Sequence, residues 1–497
     1  MNHITELAHE CFGIDYLFPY QHLVITNILR RAGYFGEEEQ EEAPHHQVVL
    51  LPTGAGKSLC FMLPALILDG LTIVVFPLLG LMADQLRRVE EAGMKGALLK
   101  GGMDKASRDA LWKGVHDGST QMLLTNPEML ILPEVQRHLQ EVKIAHLVLD
   151  EAHTIPEWGE SFRPACLELG KVLPELGVDQ ITAFTATASP LILDKIKSIL
   201  FSDLSFNLVR ANPDRVNIFY KVLPVLSRMR TLTELIPQIE RPALIFCSSR
   251  RQTEQCALYL RQRLDDQEIR YYHAGLSKEL RSELEDWYFN SDSGILCSTC
   301  AYGMGMDKSN IRTVIHFTLP SSVEAYLQES GRAGRDRQPC RAILLYHPED
   351  RYREAENPRA DLRERYEKLL TFAEDSETCR RESLLAILEA EPEDCDSCDV
   401  CRGTVMIKDP VEDLVTEIVQ RYRKRFTSRL LRDFLLGRNS REIRQGYWFR
   451  AYGFGSLNDW NPDDVKEVIS GGISIDKIRM RSKGNGEENN GRLIFSG

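Results

Sequence analysis

The 497-residue sequence has no uninterrupted apolar run of about 18 residues, the length a helix needs to cross a bilayer, so no membrane span is expected. Its opening, MNHITELAHECFGIDYLF, has no basic segment leading into an apolar one, so a secretory leader is not expected either. An intracellular protein follows: cytoplasmic and nucleoid-associated if bacterial, nuclear if eukaryotic. Positive charge is also missing from the total. The net charge is −12 and the sequence pI about 5.6, which read globally argues weakly against a nucleic-acid partner. Phosphates, however, are met by a local patch and not by an average. From Arg421 to Arg450 there are ten Lys or Arg against two acidic residues, which is a candidate patch as well as a possible solvated helix face.

What is present is ordinary globular material, 43% hydrophobic and 27% charged, in a chain too long for one core. Roughly three or four domains of about 100 to 200 residues are expected. Two stretches alternate short β-branched runs with amphipathic helical patterns. The first runs through QVVLL (47 to 51), LTIVVF (71 to 76), QMLLT (121 to 125), AHLVLD (145 to 150) and QITAFTAT (180 to 187). The second runs through PALIFC (242 to 247), IRYYHAG (269 to 275), GILCST (294 to 299), RTVIHF (312 to 317) and RAILLYH (341 to 347). This is the pattern of two tandem doubly wound parallel-sheet α/β domains. EEEQEE (37 to 42) reads as a solvated loop. Beyond about residue 350 the sequence becomes charged and helical, and ends in SIDKIRMRSKGNGEENNGRLIFSG, where alternating residues flank a Gly- and Asn-rich turn. That is a two-stranded wing after helices, the order of a winged helix.

In QVVLLPTGAGKSLC a strand feeds a glycine-containing loop, and Lys57-Ser58 then opens a helix. Backbone N–H groups around Gly54 and Gly56 can cradle phosphate, Lys57 can reach the β and γ phosphates, and Ser58 can ligate Mg²⁺. Leu51 stands where the strict pattern asks for glycine, so a bare glycine turn is the alternative. Asp150 and Glu151 end a later strand of the same unit and so open on the same sheet edge. Asp150 can hold Mg²⁺ and Glu151 can orient or deprotonate the attacking water, where an acidic pair alone would be a solvated turn. The second unit lacks a phosphate loop. It offers QESGRAGRD (328 to 336), whose Arg332 and Arg335 lie three apart, close to one helical turn, and can share a helix face and stabilise a phosphoryl-transfer transition state.

Of twelve cysteines, eight are scattered as small hydrophobes would be; Cys297 and Cys300 form a C-x2-C, but at the end of an apolar strand. Cys379, Cys395, Cys398 and Cys401 read C-x15-C-x2-C-x2-C, which can close four thiolates around one structural Zn²⁺.

The ordered set TGAGKS (53 to 58), DEAH (150 to 153), TAT (185 to 187), YHAGL (272 to 276), AYGMGMDK (301 to 308) and QESGRAGRD resembles superfamily 2 helicases, specifically the RecQ family of DNA helicases. The resemblance spans nearly the whole chain. It implies two RecA-like motors, at 1–205 and 206–348, a zinc-binding subdomain at 349–405 and a winged-helix DNA-binding domain at 406–497. It also implies an ATP-dependent helicase, stepping 3′ to 5′ on single-stranded DNA and unwinding duplex in replication, recombination or repair. ATP, Mg²⁺ and Zn²⁺ are the expected cofactors, and single-stranded and duplex DNA the expected partners. By the resemblance the ATP site takes in Gln21, Thr53, Gly54, Ala55, Gly56, Lys57 and Ser58, with Gln21 reading adenine. The resemblance makes Arg335 the expected arginine finger, with Arg332 beside it. His153 and TAT couple nucleotide state to closure, VVFPLLGLMADQ (74 to 85) and LTNPEML (124 to 130) are similar to DNA-contacting loops, and AYGFG (451 to 455) to a recognition segment. Trp158, Phe162 and Arg163 resemble an aromatic-rich loop that stacks on a DNA base. The sequence departs from the family at Phe18, where an arginine is usual, and at Phe76, where a serine is. The chain stops at Gly497, so the extra C-terminal helical domain of many relatives is expected to be absent. Two other readings stay open: a superfamily 2 RNA helicase, and a zinc-dependent DNA-binding module whose motor is a relic.

Overall fold

The computed structural model describes residues 2–35, 46–52, 54–77, 79–159, 163–186, 188–202, 204–300, 308–353, 357–391, 394–422, 425–474, 478–481 and 492–495. The acidic 37–42 segment, Thr53, Phe162, Thr187 and residues 301–307 of AYGMGMDK lie outside them. Contacts divide the chain into two units, Met1–Asp214 with Leu385–Glu391, and Arg215–Leu384 with Pro392–Gly497.

The first unit is built on a seven-stranded parallel sheet of β1 (His46–Leu50), β2 (Leu71–Val75), β3 (Gly96–Leu98), β4 (Met122–Thr125), β5 (Ile144–Leu149), β6 (Ile181–Thr185) and β7 (Phe206–Arg210). Their order across the sheet is β3-β4-β2-β5-β6-β1-β7. The inner strands are apolar on both faces because helices cover both faces. Val48, Ile73, Leu147 and Ala183 join one core, while their strand neighbours Val49, Val74, Val148 and Phe184 join the other. The second unit holds a six-stranded parallel sheet, in the order β10-β11-β9-β12-β13-β8. Its strands are β8 (Ile218–Pro224), β9 (Ala243–Phe246), β10 (Ile269–Tyr272), β11 (Ile295–Ser298), β12 (Thr313–His316) and β13 (Cys340–Tyr346). Two parallel-sheet α/β domains are therefore present.

All ten strands read from the sequence form. The three that escaped it lie at sheet edges: β3 is three half-buried residues, β7 (FNLVR) is mostly half-exposed, and β8 (IFYKVLP) carries a lysine. Edge strands bury one side less and carry a weaker apolar signal. The pairing of β7 with β1 carries the first sheet through 206–210, and the division by contacts follows at Asp214.

C-terminal helices, among them Pro410–Arg421, Ser428–Leu435 and Pro462–Ser474, enclose a core of Ile418, Leu431, Phe434, Val465 and Val468. Antiparallel β14 (Ile478–Arg481) and β15 (Arg492–Phe495) follow, with the expected turn between them outside the described residues. Among the described residues no helix is long and apolar enough to cross a membrane.

Candidate active site and metal centre

Parallel strands bring their C-terminal ends to one edge, and in the first sheet β5, β6 and β1 are adjacent. Past β1, Gly54 and Gly56 adopt φ of 83° and 75°, the left-handed region that glycine enters without cost. Helix Lys57–Ala65 starts immediately after, so its positive dipole end faces the loop. A Cβ on Gly56 would sit 2.5 Å from Gln21 Nε2. Gln21 is buried, accepts from the Phe18 N–H at 2.9 Å and donates to the Ala55 carbonyl at 2.9 Å, so it braces the phosphate loop from helix Pro19–Arg31.

Beyond β5 the chain turns sharply through Glu151, at φ 49°, a conformation that costs a non-glycine residue about 1 to 2 kcal/mol. Among the bonds that hold the turn are Asp150 N–H to the Val75 carbonyl, Ala152 N–H to the Phe184 carbonyl, and the Thr154 hydroxyl to the Glu151 carbonyl. The acidic pair thereby faces the phosphate loop. Lys57 Nζ donates to Glu151 Oε1 at 2.9 Å and lies 3.9 Å from Asp150 Oδ1. Burial raises the Asp150 carboxyl to about pKa 6; Lys57 opposes that rise and Glu151 adds to it. His153 Nδ1 lies 3.0 Å from Thr185 Oγ1, at the tip of β6, and 3.4 Å from Glu151 Oε2. DEAH and the first threonine of TAT thus meet at the ends of β5 and β6.

Trp158 sits half-buried in helix Thr154–Gly159, four residues past the turn's Thr154. Arg163 lies 5.8 Å from its ring centroid, and Nε donates to Glu128 Oε1 at 2.6 Å, with a second bond from Nη2 to Oε2. Glu128 lies in helix Pro127–Leu130, capped by the Asn126 side chain, so the ion pair ties LTNPEML to the Trp158 loop. Nothing in the local sequence signals that pair, because its members lie 35 positions apart. Phe76 is fully buried in the sheet core, and Phe18 stacks on Tyr20 with ring centroids 5.4 Å apart. Phe76 is therefore a packing residue.

In the second unit, helix Val323–Ser330 ends before the arginines, and Arg332 and Arg335 lie in a turn. The expected shared helix face does not exist, because the helix stops at Ser330 with Gly331 as its cap and the chain then turns, with Gly334 at φ 54° between the two arginines; Arg332 is buried and Arg335 half-buried. Arg215 and Asn217 fix that turn. Arg215 donates to the Gly331, Ala333 and Gly334 carbonyls, and Asn217 Nδ2 to those of Gly334 and Gln338. These supporting residues precede β8 and were invisible to motif reading, which looks only within the turn.

The four clustered cysteines converge, with all sulfurs within 4.8 Å of one another and Cys379 Sγ 3.9 Å from Cys398 Sγ. Four thiolates around Zn²⁺ at about 2.3 Å would stand about 3.8 Å apart, so the donor set fits. The Cys401 N–H points at Cys398 Sγ at 3.3 Å, as expected of a charged thiolate. The cluster is locked to the second sheet. Asp399 accepts from Val222 N–H of β8 and from Arg380 Nε, and Arg381 donates to the Ile218 carbonyl. Among the scattered cysteines Cys300 is exposed, and Cys297 contacts Cys256 at 3.8 Å.

Comparisons with known proteins identify the family. Family models for the DEAD/DEAH box helicase, the helicase conserved C-terminal domain and RecQ zinc-binding match residues 18–195, 227–337 and 336–402. The ATP-dependent DNA helicase RecQ of Pasteurella multocida is 31% identical over 460 residues, covering 90% of this chain and 72% of the relative. That of Haemophilus influenzae is 31% identical, over 82% and 68%. This chain belongs to the RecQ family. The Bacillus subtilis RecQ is 29% identical over 88% of this chain and 76% of its own. At the level of fold, the solved structure of the DUF1998 helicase MrfA bound to DNA matches with a TM-score of 0.56 at 20% identity, over 75% of this chain and 56% of that one. Saccharomyces cerevisiae Dbp5 bound to RNA and ADP BeF3 matches at 0.54 and 18%, over 70% and 88%.

As a RecQ-family member the protein is an ATP-dependent DNA helicase with DNA as its partner and a RecQ zinc-binding domain. The RNA-helicase and relic-motor readings fall away. One further feature of this RecQ chain escaped the sequence reading. Around the basic stretch, Tyr447, Phe449 and Tyr452 are exposed and interleaved with arginines, with Arg421 4.3 Å from the Tyr452 ring centroid and Arg450 5.5 Å from that of Phe449. Arg423 and Lys424 lie outside the described residues.

Proposed function

We propose that this helicase steps 3′ to 5′ on single-stranded DNA, using ATP held by Thr53, Gly54, Ala55, Gly56, Lys57 and Ser58, with Gln21 beside the base. The observation that carries the hydrolytic reading is Lys57 Nζ at 2.9 Å from Glu151 and 3.9 Å from Asp150. A lysine so placed can exchange its carboxylate partners for phosphate oxygens, freeing Glu151 to accept a proton from water. Ser58 and Asp150 offer the hard oxygen donors that Mg²⁺ takes, and the ion would neutralise phosphate charge there. Arg332 and Arg335 supply cationic stabilisation to the transferring phosphoryl group. Trp158, Phe162 and Arg163 grip the DNA strand, where base stacking on an aromatic ring is worth about 1 to 3 kcal/mol, similar to the stacking lost when a base pair opens.

We further propose that residues 406–497 form a winged helix that meets duplex through its arginines and exposed aromatics, and that unwinding serves replication, recombination or repair. A strand-displacement assay with 3′-tailed and 5′-tailed duplexes tests the polarity. Unwinding of the 3′-tailed substrate is expected, with none by Lys57→Ala. Unwinding of only the 5′-tailed substrate overturns the proposal.

A further inference from the structure

We propose that His116, His138 and Glu141 form a second metal site, for a late first-row divalent ion such as Zn²⁺, Ni²⁺ or Co²⁺, separate from the cysteine cluster. One donor atom from each of the three side chains lies within 4.8 Å of the others. His116 Nε2 and His138 Nδ1 are 3.0 Å apart, and His116 Nε2 is 3.9 Å from Glu141 Oε2. Two imidazole nitrogens at about 2.1 Å from one ion stand about 3.0 Å apart at a right angle and about 3.4 Å apart in a tetrahedron, so little movement would seat a metal. Without metal the same two nitrogens can share a single proton. The imidazole pair selects against Mg²⁺ and Ca²⁺, which take oxygen donors.

Three further features favour a cation here. The His138 ring is stacked on buried Trp112, with centroids 4.3 Å apart and planes at 12°, so one ligand is held in orientation beforehand. His116 is the last residue of helix Lys105–His116, and Glu141 caps the C-terminus of helix Pro133–Gln140. Two helix C-termini thus bring their negative dipole ends to the same ligands. Two arginines of these helices are engaged elsewhere: Arg137 Nε turns back to the Pro133 carbonyl, and Arg108 lies 3.7 Å from Glu134.

Place in the fold separates this site from the nucleotide. These helices run into β4 and β5, so their C-termini lie toward the N-terminal edge of the sheet, opposite the edge carrying Lys57 and Asp150. A bound ion would clamp the two helices and stabilise the first domain, by an amount that rises with the logarithm of free metal once it exceeds the dissociation constant.

The test uses the untagged full chain. Zn²⁺ is titrated into protein, and metal bound after gel filtration is counted per chain, with thermal unfolding followed in parallel. Two equivalents and a rise in the unfolding temperature with the second are expected. His116→Gln and Glu141→Ala, both at exposed positions, should each lower affinity for the second equivalent at least about tenfold, while the first equivalent and DNA-stimulated ATP hydrolysis remain. A single equivalent in the unsubstituted protein, or a second one that survives both substitutions, overturns the proposal.

Discussion

Arg163 holds Glu128 with two N–H groups of its guanidinium while lying 5.8 Å from the Trp158 ring, so the loop after the acidic pair is tied to the loop after β4. Two-point pairs of this kind are among the stronger side-chain contacts, although Glu128 is 42% exposed and water screens part of the attraction. The pair connects two segments proposed to meet DNA with a helix that begins three residues after Glu151.

If the pair transmits DNA occupancy to Glu151, Glu128→Ala and Arg163→Ala should each lower DNA-stimulated ATP turnover about tenfold and leave DNA-free turnover unchanged. The double variant should be little worse than either, because both remove the same link. Steady-state turnover with and without single-stranded DNA measures this, and full additivity of the losses would sink the idea.

Gly334→Ala should slow hydrolysis without disturbing the phosphate loop. A Cβ there would meet Asn217 Nδ2 at 2.5 Å, Cys340 Sγ at 2.6 Å and the Gln338 carbonyl at 2.7 Å, at a φ that favours glycine. The strain is about 1 to 2 kcal/mol before any clash, and it falls on the turn carrying Arg332 and Arg335. Turnover should drop severalfold or more, with the affinity for a non-hydrolysable ATP analogue within twofold of the unsubstituted protein.

Acid should destabilise the first domain through His146. Burial lowers this histidine from 6.5 to about 3, and its Nε2 lies 2.9 Å from Thr182 Oγ1. Between those values the unfolded chain binds the proton and the folded one does not, so stability falls as pH falls from about 6.5 toward 3, by up to about 1.4 kcal/mol per pH unit. Urea midpoints at pH 7.5 and 5.5 should differ in the unsubstituted protein and differ less in His146→Asn.

Loss of the cysteine cluster's metal should loosen the edge of the second sheet. Asp399, next to Cys398, accepts from Val222 N–H and from Arg380, and the Tyr220 carbonyl accepts from Asp399 N–H. Cys398→Ser should release zinc and raise hydrogen exchange in β8, with β1 and β5 of the first sheet unaffected. Unchanged exchange in β8 would show that the arginines hold the edge unaided.

The sequence by itself determined the elements that rest on local chemistry. Continuous apolar runs made the inner strands readable, glycines at 54 and 56 marked the tight turn before helix Lys57–Ala65, and C-x2-C-x2-C marked the converging cysteines, since each depends on residues a few positions apart. Tertiary structure decided what depends on distance along the chain. It joined Arg163 to Glu128, Gln21 to Ala55, Arg215 to the turn at Gly334, and His116 to His138 and Glu141. It also buried Phe76 and ended a helix before Arg332. Burial and long-range hydrogen bonds are set by how layers pack, and no periodicity within one segment records which other segment will lie against it.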